Sequence, residues 1–491
     1  MTKRLLGIAV CALSCAVPVA AQPTRADVTE AMRKATSFMV DKVAVGGGYA
    51  WSFSEDLSSR WGEVPARPSQ IWVQAGTPMV GMAFLDAYEA TRDRFYLDAA
   101  KKAADALIFG QTPEGGWHYF VDFDPAGLED WYRTRASQFK YGYEEYRHYY
   151  GNATNDDQVT SDATEFLLRF YATSLDAAYR APLLKALDFA LKAQYTHGGW
   201  PQRYPLRYEF SHDGLPDYTS YITLNDGVHQ GYVEMLVRAY RVLGDRRYLD
   251  AARRGADFYI AVQGPDGEAG WAEQYGMDMK PVAARTHEPV GYVIRESRDA
   301  LRVLEFFYAL TGDTRYLAPI PRCLAWFERV NREAMELKRP PMRYWQPGTN
   351  LPVYNIRTGA FNEEGYGLYK WTTVPEPTMA VRPAVDVTPI RQEYEKVAAL
   401  ATPEARAAYV SAYLDPARTA PPAADVAAVI KGLDTRGAWV TDDVRVHLPE
   451  GPGKHSGDNK PMRGISTGVF VRNLRALTAY LEGLGRDGRH D

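Results

Sequence analysis

Apolar side chains recur every three or four residues over long stretches of the chain, which is the spacing that one face of an α-helix requires. The pattern is clear at Phe166, Leu167, Phe170 and Tyr171, and it returns over residues 301–310. Short segments rich in Gly, Pro or Asp separate these stretches. The pattern therefore predicts a mainly helical protein.

A repeated unit follows several of these stretches: a Gln, a short turn and then Gly-Gly-Trp. It includes Trp117 and Trp200, and a shorter Gly-Trp form includes Trp271. Weaker echoes end at Trp51 and Trp439. A glycine pair lets the backbone approach another group closely, and a tryptophan ring can fill a core or stack on a sugar. We expect these turns both to plug the core and to face a ligand.

A second repeat opens several helices with an Asp that precedes a Tyr-Leu pair, at Asp93, Asp245 and Asp313. An Asp in this position is typical of a helix N-cap. The first four Trp turns are 66, 83 and 71 residues apart, which leaves room for two helices and a loop in each repeat. Helical hairpins repeated around a ring form an α/α toroid. We therefore predict an all-α toroid, an incomplete or full barrel of hairpins whose concave face is rich in loops.

The chain divides into three expected regions. Residues 1–21 have the basic start, the short apolar run and the small residues near a cleavage point that characterise a secretory signal peptide. Residues 22–372 are expected to form the toroidal catalytic domain. Residues 373–491 begin with a proline-rich crossing and are expected to add helices to the same domain. The signal predicts a secreted or periplasmic protein that makes no membrane contact after cleavage.

Composition narrows the classes of partner. The net charge of −4 supplies no basic field for nucleic acid. Cys323 is the one cysteine outside the signal, so no intrachain disulfide is expected. The 33 Tyr and 11 Trp suit either a tightly packed helical domain or a carbohydrate cleft. We expect a monomer.

The candidate chemistry rests on acids and arginines, because the chain has no zinc helix of the His-Glu-x-x-His type, no phosphate loop and no Gly-x-Ser-x-Gly elbow. Carboxylates suit a hard cation such as Ca²⁺, and arginines bind carboxylates through two hydrogen bonds. A polyuronate substrate would need both. A glycoside hydrolase would need two flanking acids, and Asp156, Asp226 and Glu288 leave that alternative open.

The stretch Gly198–Leu206, which reads GGWPQRYPL, and the later Tyr221–Asp226, which reads YITLND, resemble the family-10 pectate lyases (pectic acid lyases). The resemblance extends over about residues 150 to 371. Its further motifs, in chain order, are Trp271–Gln274, Pro281–Arg285, Glu288, Glu296–Ser297, Arg343–Tyr344, Thr349–Pro352 and Arg357.

The resemblance implies a helical toroid that cleaves polygalacturonate by calcium-assisted anti β-elimination and releases 4,5-unsaturated oligogalacturonides. By the match, Arg357 is the base that takes the C5 proton, and Arg343 and Arg285 bind substrate carboxylates. Asp226 and Asp156 would hold the calcium ion. A cationic site favours the neutral form of an arginine, so we expect an alkaline pH optimum.

Two further assignments follow from the same match. Asp157 and Trp200 are expected to contact the substrate. A shifted alignment would place Asp162, rather than Asp156 and Asp157, at the first acidic position. Two other functions stay open: a toroidal glycoside hydrolase acting on uronate-containing glycans, and a polyuronate-binding protein without catalysis.

Overall fold

The computed structural model describes residues 22–134, 152–206, 217–361, 367–376, 378–446 and 460–487. The expected signal peptide, residues 1–21, lies outside these ranges. Within them, every helix is too short or too polar to cross a membrane.

Helices make up most of the described chain, and short strands connect them. The α-helices are α1 Arg25–Phe38, α2 Thr77–Thr91, α3 Arg94–Phe109, α4 Leu128–Thr134, α5 Val159–Ser174, α6 Arg180–Ala193, α7 Val228–Leu243, α8 Arg246–Val262, α9 Ile294–Thr311, α10 Pro319–Glu336, α11 Thr388–Ala398, α12 Pro403–Leu414, α13 Ala423–Lys431 and α14 Thr467–Asp487.

The helices pair into hairpins that are arranged around a ring. Helix α2 packs on α3, α5 on α6, α7 on α8 and α9 on α10. The first helix of each hairpin also packs beside the next, in the order α14, α2, α5, α7 and α9, and α12 packs on α9. Helices α1 and α13 lie against α14. The predicted α/α toroid is confirmed.

The strands form small antiparallel sheets at the loop-rich end of the ring. One sheet has the order β15-β16-β1-β2-β3 and another has the order β14-β13-β12-β11-β9. The strands are β1 Ser52–Ser54, β2 Arg60–Trp61, β3 Pro65–Ala66, β4 Gln70–Trp72, β5 Phe120–Asp122, β6 Ala153–Thr154, β7 Arg203–Tyr204, β8 Ile222–Thr223, β9 Trp271–Ala272, β10 Gln274–Tyr275, β11 Tyr292–Val293, β12 Tyr344–Gln346, β13 Leu351–Phe361, β14 Gly367–Thr372, β15 Val440–Val446 and β16 Lys460–Ser466.

The predicted Asp caps act as expected at two of the three positions. The carboxylates of Asp93 and Asp245 each accept a backbone N–H two residues later, at 3.0 and 2.9 Å, where α3 and α8 begin. Asp313 makes the same bond at 3.0 Å but caps a single 3₁₀ turn. Helix α10 begins only at Pro319, because proline has no N–H to pair and fits the first turn of a helix.

The tryptophans of the Gly-Gly-Trp turns belong to the core. Trp117, Trp200 and Trp271 have no exposed surface. Their indole N–H groups donate to backbone carbonyls near the ends of α3, α6 and α8, at 2.7, 2.9 and 2.8 Å. Trp200 also stacks on Tyr232, with ring centroids 5.2 Å apart. The expectation that Trp200 contacts substrate is wrong for this structure, because the ring is fully covered by protein.

The glycines of the same turns pack against backbone rather than against a ligand. Gly115 and Gly198 have φ values of +115° and +103°, in the region that L side chains rarely adopt. A Cβ on either glycine would lie 2.3 or 2.1 Å from the carbonyl oxygen of Lys185 or Arg254, on the outer helix of the following hairpin. The repeat therefore joins neighbouring hairpins, and this accounts for its recurrence.

The region after residue 372 shares the core of the ring. The first helices after the proline-rich crossing are α11 and α12, which are separate because Pro403 starts a new helix at its first position. The last helix, α14, packs its apolar face against α1 and α2. Cys323 is fully buried in α10.

Candidate functional site

Two tight turns bring three predicted acids together. Asp157 and Asp226 occupy equivalent places in the turns that precede α5 and α7, with nearly the same backbone angles (φ 50°, ψ 24° and φ 54°, ψ 23°). Asp156 lies beside Asp157. One carboxylate oxygen from each of the three residues lies within 4.8 Å of the others. We call Asp156, Asp157 and Asp226 the acidic cluster.

Backbone hydrogen bonds from neighbouring repeats fix both turns. The N–H of Asn155 donates to the carbonyl of Gln202 at 2.8 Å. The N–H groups of Leu224 and Asn225 both donate to the carbonyl of Glu273, at 2.7 and 3.2 Å. Each acidic turn is thus held by the segment that follows the Gly-Gly-Trp or Gly-Trp unit of the next repeat, and the cluster is rigidly attached to the ring.

Asp156 is the most buried acid of the cluster. Its carboxylate accepts the hydroxyl of Tyr119 at 2.7 Å and the amide of Gln202 at 3.1 Å. Burial and the neighbouring charge of Asp226 raise the pKa of Asp156, while Arg203 opposes the shift. The guanidinium of Arg203 lies 4.8 Å from the centre of the Tyr119 ring, so the hydroxyl that bonds Asp156 has a cation beside it.

Asp157 is partly buried beside two other carboxylates. Burial, and then the charges of Asp156 and Asp226, raise the pKa of Asp157 to about 9. Three carboxylates this close repel one another unless a cation lies between them. Their donor atoms are all oxygens, which is the ligand set that Ca²⁺ prefers. The residues therefore fit a calcium ion. Asp162, the alternative first acid, lies in the first turn of α5 and is not a member of the cluster.

Arg295 borders the cluster on one side. Its terminal nitrogen donates to the Oδ1 of Asp226 at 3.1 Å, and its Nε donates to the Oε1 of Glu296 at 2.9 Å. Both residues lie in the first turn of α9, whose N-terminus faces the same end of the ring as those of α5 and α7. Glu296 is almost fully buried, and its burial raises its pKa against the attraction of Arg295.

Arg343 is held by Glu273, a buried acid. Glu273 lies within the Trp271–Gln274 motif, but the sequence analysis assigned it no role. The guanidinium of Arg343 forms an ion pair with the Oε1 of Glu273, and the hydroxyl of Tyr344 donates to the Oε2 of Glu273 at 2.7 Å. Burial raises the pKa of Glu273 to about 8, against the attraction of Arg343. The side chain of Arg343 is 45% exposed and that of Glu273 only 5%. The guanidinium is therefore anchored by a buried carboxyl group while part of its surface stays accessible to solvent.

Arg285 has an equivalent anchor. Its Nε and a terminal nitrogen donate to the two carboxylate oxygens of Glu288, at 3.0 and 2.8 Å. Burial disfavours the charged form of Glu288, but the ion pair and hydrogen bonds from Arg285 lower its pKa to about 2. The positive charge of Arg285 also opposes the raised pKa values of Asp156 and Asp157. Arg285 therefore belongs to the electrostatic surroundings of the cluster.

Arg357 lies in β13, where its backbone pairs with Tyr369 of β14. Its side chain lies outside the described part of the structure. Two contacts join this hairpin to the loop of Arg285: the amide of Asn355 donates to the carbonyl of His287, and the indole of Trp371 donates to that of Thr286, both at 2.5 Å. The backbone of Arg357 thus belongs to a hairpin that packs beside the Arg285 loop.

One family model matches a part of the chain. Residues 126–231 match the model of the family described as Pectic acid lyase. The matched range contains the acidic cluster and Trp200, and it ends before Arg285, Arg343 and Arg357. No curated protein matches.

Several solved structures have low overall similarity. A point mutant of a family 10 polysaccharide lyase from Cellvibrio cellulosa, in complex with trigalacturonic acid, is 21% identical, with coverage of 51% of this chain and 72% of that chain and a TM-score of 0.35. A cellobiose 2-epimerase from Spirochaeta thermophila is 13% identical, with coverage of 94% and 98% and a TM-score of 0.45. A family 76 α-mannanase from Bacteroides thetaiotaomicron is 12% identical, with coverage of 94% and 97% and a TM-score of 0.43.

Proposed function

We propose that this protein cleaves polygalacturonate by calcium-assisted β-elimination, as a pectate lyase. The observation that carries the proposal is the grouping of the acidic cluster with two anchored arginines, Arg343 and Arg285, at one end of the toroid. A polyuronate presents carboxylates, which an arginine binds directly and a carboxylate cluster binds through a cation. The match of residues 126–231 to the Pectic acid lyase family supports the same substrate class.

Asp226 and Asp156 would hold the calcium ion, and Asp157 would face the substrate beside them. When bound, calcium withdraws charge from a uronate carboxylate and so makes the neighbouring C5 proton easier to remove. The chain supplies the oxygen ligands at fixed positions, because backbone bonds to Gln202 and Glu273 hold both turns. A fixed site requires little reorganisation during the reaction, which is where its catalytic value would lie.

Arg343 and Arg285 would bind substrate carboxylates and stabilise the charge that develops on proton removal. Each guanidinium already has a buried carboxylate on one side, which fixes its orientation before the substrate arrives. Arg357 would be the base at C5, acting from the β13–β14 hairpin. An arginine can act as a base only when nearby cations favour its neutral form, so activity should rise at alkaline pH.

The proposal is tested by ultraviolet absorbance during incubation with polygalacturonate, first with calcium and then with a chelator. β-Elimination creates a conjugated double bond, so absorbance should rise only with calcium, and Arg357→Ala should abolish the rise. New reducing ends without absorbance would instead identify a glycoside hydrolase. Binding of the polymer without either signal would identify a non-catalytic polyuronate-binding protein.

We further propose that the protein acts as a secreted or periplasmic monomer. The expectation rests on the signal-like residues 1–21 and on the extracellular setting of polymeric pectate. Measuring the mature N-terminus and the size of the protein recovered from the producing cells would test both statements. A retained N-terminus in the cytoplasm, or a stable dimer in solution, would contradict them.

A further inference from the structure

A second charged cleft lies at the opposite end of the toroid. Its lining includes Asp86 and Glu89 near the end of α2, Arg169 near the end of α5 and Arg241 near the end of α7. The acidic cluster precedes the first residues of α5 and α7, so the two regions are separated by about 20 Å along the helices. The cleft has a volume of about 1060 Å³. This is the size of a site for a small molecule or a short oligosaccharide.

The carboxylates in this cleft form ion pairs with its arginines. Asp86 interacts with Arg169, Arg418 and Arg475, at 2.7, 2.6 and 3.0 Å. Glu89 pairs with Arg169 at 2.7 Å. The remaining pairs are Glu165 with Arg238 at 3.2 Å, Asp415 with Arg238 at 3.4 Å and Glu482 with Arg418 at 2.6 Å. Each of the five carboxylates therefore has an arginine nitrogen within 3.4 Å, which offsets part of its repulsion toward an anion.

The arginines exceed the acids. Six arginines and five carboxylates line the cleft, an excess of one positive charge. Arg472 projects from α14 into the lining and has no hydrogen bond or ion pair among the described residues. Among the described residues, Arg241 has one ion-pair partner, Asp415, at 3.6 Å, and the Asp415 side chain is 72% exposed. These two guanidinium groups therefore offer donors that a carboxylate can accept.

The rest of the lining limits the kind of ligand. It is aliphatic, with Leu168, Val242, Pro416 and Ala476 among its residues, and no described lining residue is aromatic. A nucleotide would lack a ring on which to stack. A sugar chain with carboxylates would be held here by the arginines and by aliphatic contacts, without ring stacking.

We propose that this cleft is a second binding site for a carboxylate-bearing oligosaccharide, separate from the acidic cluster. The proposal that the ligand is a uronate oligomer rests on the proposed function, since that is the anion this protein would meet. A second site would hold a substrate chain or a released product on the far end of the ring. It requires no calcium, because the cleft supplies arginines in place of an acidic cluster.

The test is calorimetric titration of the full chain with trigalacturonate in the presence of a chelator, which prevents calcium binding at the acidic cluster. Every protein compared also carries Arg285→Ala and Arg343→Ala, so that those two arginines cannot hold the ligand at the first site, and this background with an unchanged cleft serves as the wild type of the test. We expect the double variant Arg241→Ala/Arg472→Ala to lose about tenfold in affinity, as removal of charge-assisted hydrogen bonds predicts. The control is Arg94→Ala, an exposed arginine on α3 with no contact to the cleft, and its affinity should match that of the wild type. Neutral galactotriose should not bind.

Equal affinity in the wild type and the double variant would overturn the proposal, and so would the absence of binding to the wild type. Inorganic phosphate that competes as well as trigalacturonate would overturn the saccharide assignment and identify a general anion site. Unchanged thermal unfolding of the double variant would establish that any loss is local. Lyase activity is measured separately, so failure of the proposed function and failure of this second site give different results.

Discussion

Replacing Glu273 by Gln would test the role of Arg343 independently of the acidic cluster. The backbone carbonyl of Glu273 holds the turn of Asp226, and its side chain holds Arg343 and Tyr344. Glutamine keeps the size and the backbone but replaces the carboxyl group, which is ionised above its pKa of about 8, by a neutral amide. We predict that the Asp226 turn stays in place while Arg343 loses its anchor.

The size of the effect follows from the lost interaction. A hydrogen bond to a charged group contributes about 1.5–3 kcal/mol. The Arg343 side chain is 45% exposed, so solvent screens part of this energy and the lower end applies. A loss of about 1.4 kcal/mol corresponds to a tenfold fall in kcat/KM. The calcium dissociation constant should change by less than about twofold, because the substitution leaves the carbonyl that fixes the turn unaltered.

The assay combines initial rates of absorbance change on polygalacturonate with calorimetric titration of calcium. Glu305→Gln is a matched control, because Glu305 is also buried and burial also raises its pKa to about 8. Glu305 lies in the middle of α9 and has no contact with Arg343. Its variant should retain wild-type kcat/KM even if removal of a buried carboxyl changes stability.

Three results would refute the reasoning. Unchanged kcat/KM in Glu273→Gln would mean that Arg343 does not need its anchor or does not bind substrate. An equal loss in Glu273→Gln and Glu305→Gln would mean that the effect comes from disturbing buried acids in general. A large loss of calcium affinity in Glu273→Gln alone would place the side chain, rather than the backbone, in control of the Asp226 turn.

Three further predictions concern the acidic cluster, the core and the Arg285 anchor. Asp226→Asn should weaken calcium binding in calorimetric titration, whereas Asp162→Asn should not, and the reverse result would favour the alternative first acid. Trp200→Ala should lower the free energy of unfolding by about 3–5 kcal/mol, measured by denaturant titration, because a fully buried ring leaves a cavity; a change near zero would contradict its core position. Glu288 has a folded pKa of about 2, below its ordinary value of 4.5, so its pair with Arg285 stabilises the protein fully above pH 4.5 and loses this contribution as pH falls toward 2. The difference in free energy of unfolding between the wild type and Glu288→Gln should therefore shrink over that interval, and a difference independent of pH would refute the pairing.

The local pattern of the chain was enough to predict the class of fold. Apolar spacing marked the helices, and Asp93 and Asp245 marked where two of them begin, because capping depends on residues close in sequence. The Gly-Gly-Trp repeat correctly indicated repeated hairpins. Its physical role was harder to predict, because the partner of Gly198 is a carbonyl on the following hairpin, at Arg254.

The candidate site depends on contacts between residues that are far apart in the sequence, which the local pattern could not predict. The sequence motifs indicated Asp156 and Asp226 as candidate calcium ligands. These residues are 70 positions apart, and only the packing of neighbouring repeats brings their carboxylates together. Glu273 had no predicted role, because its partner Arg343 is also 70 residues away and its importance comes from burial. The sequence by itself determined the helices, the turns and the residue types available for chemistry. The tertiary structure decided which acids share one cluster, which arginines are anchored and which tryptophans are core, because burial and long-range pairing exist only in the folded ring.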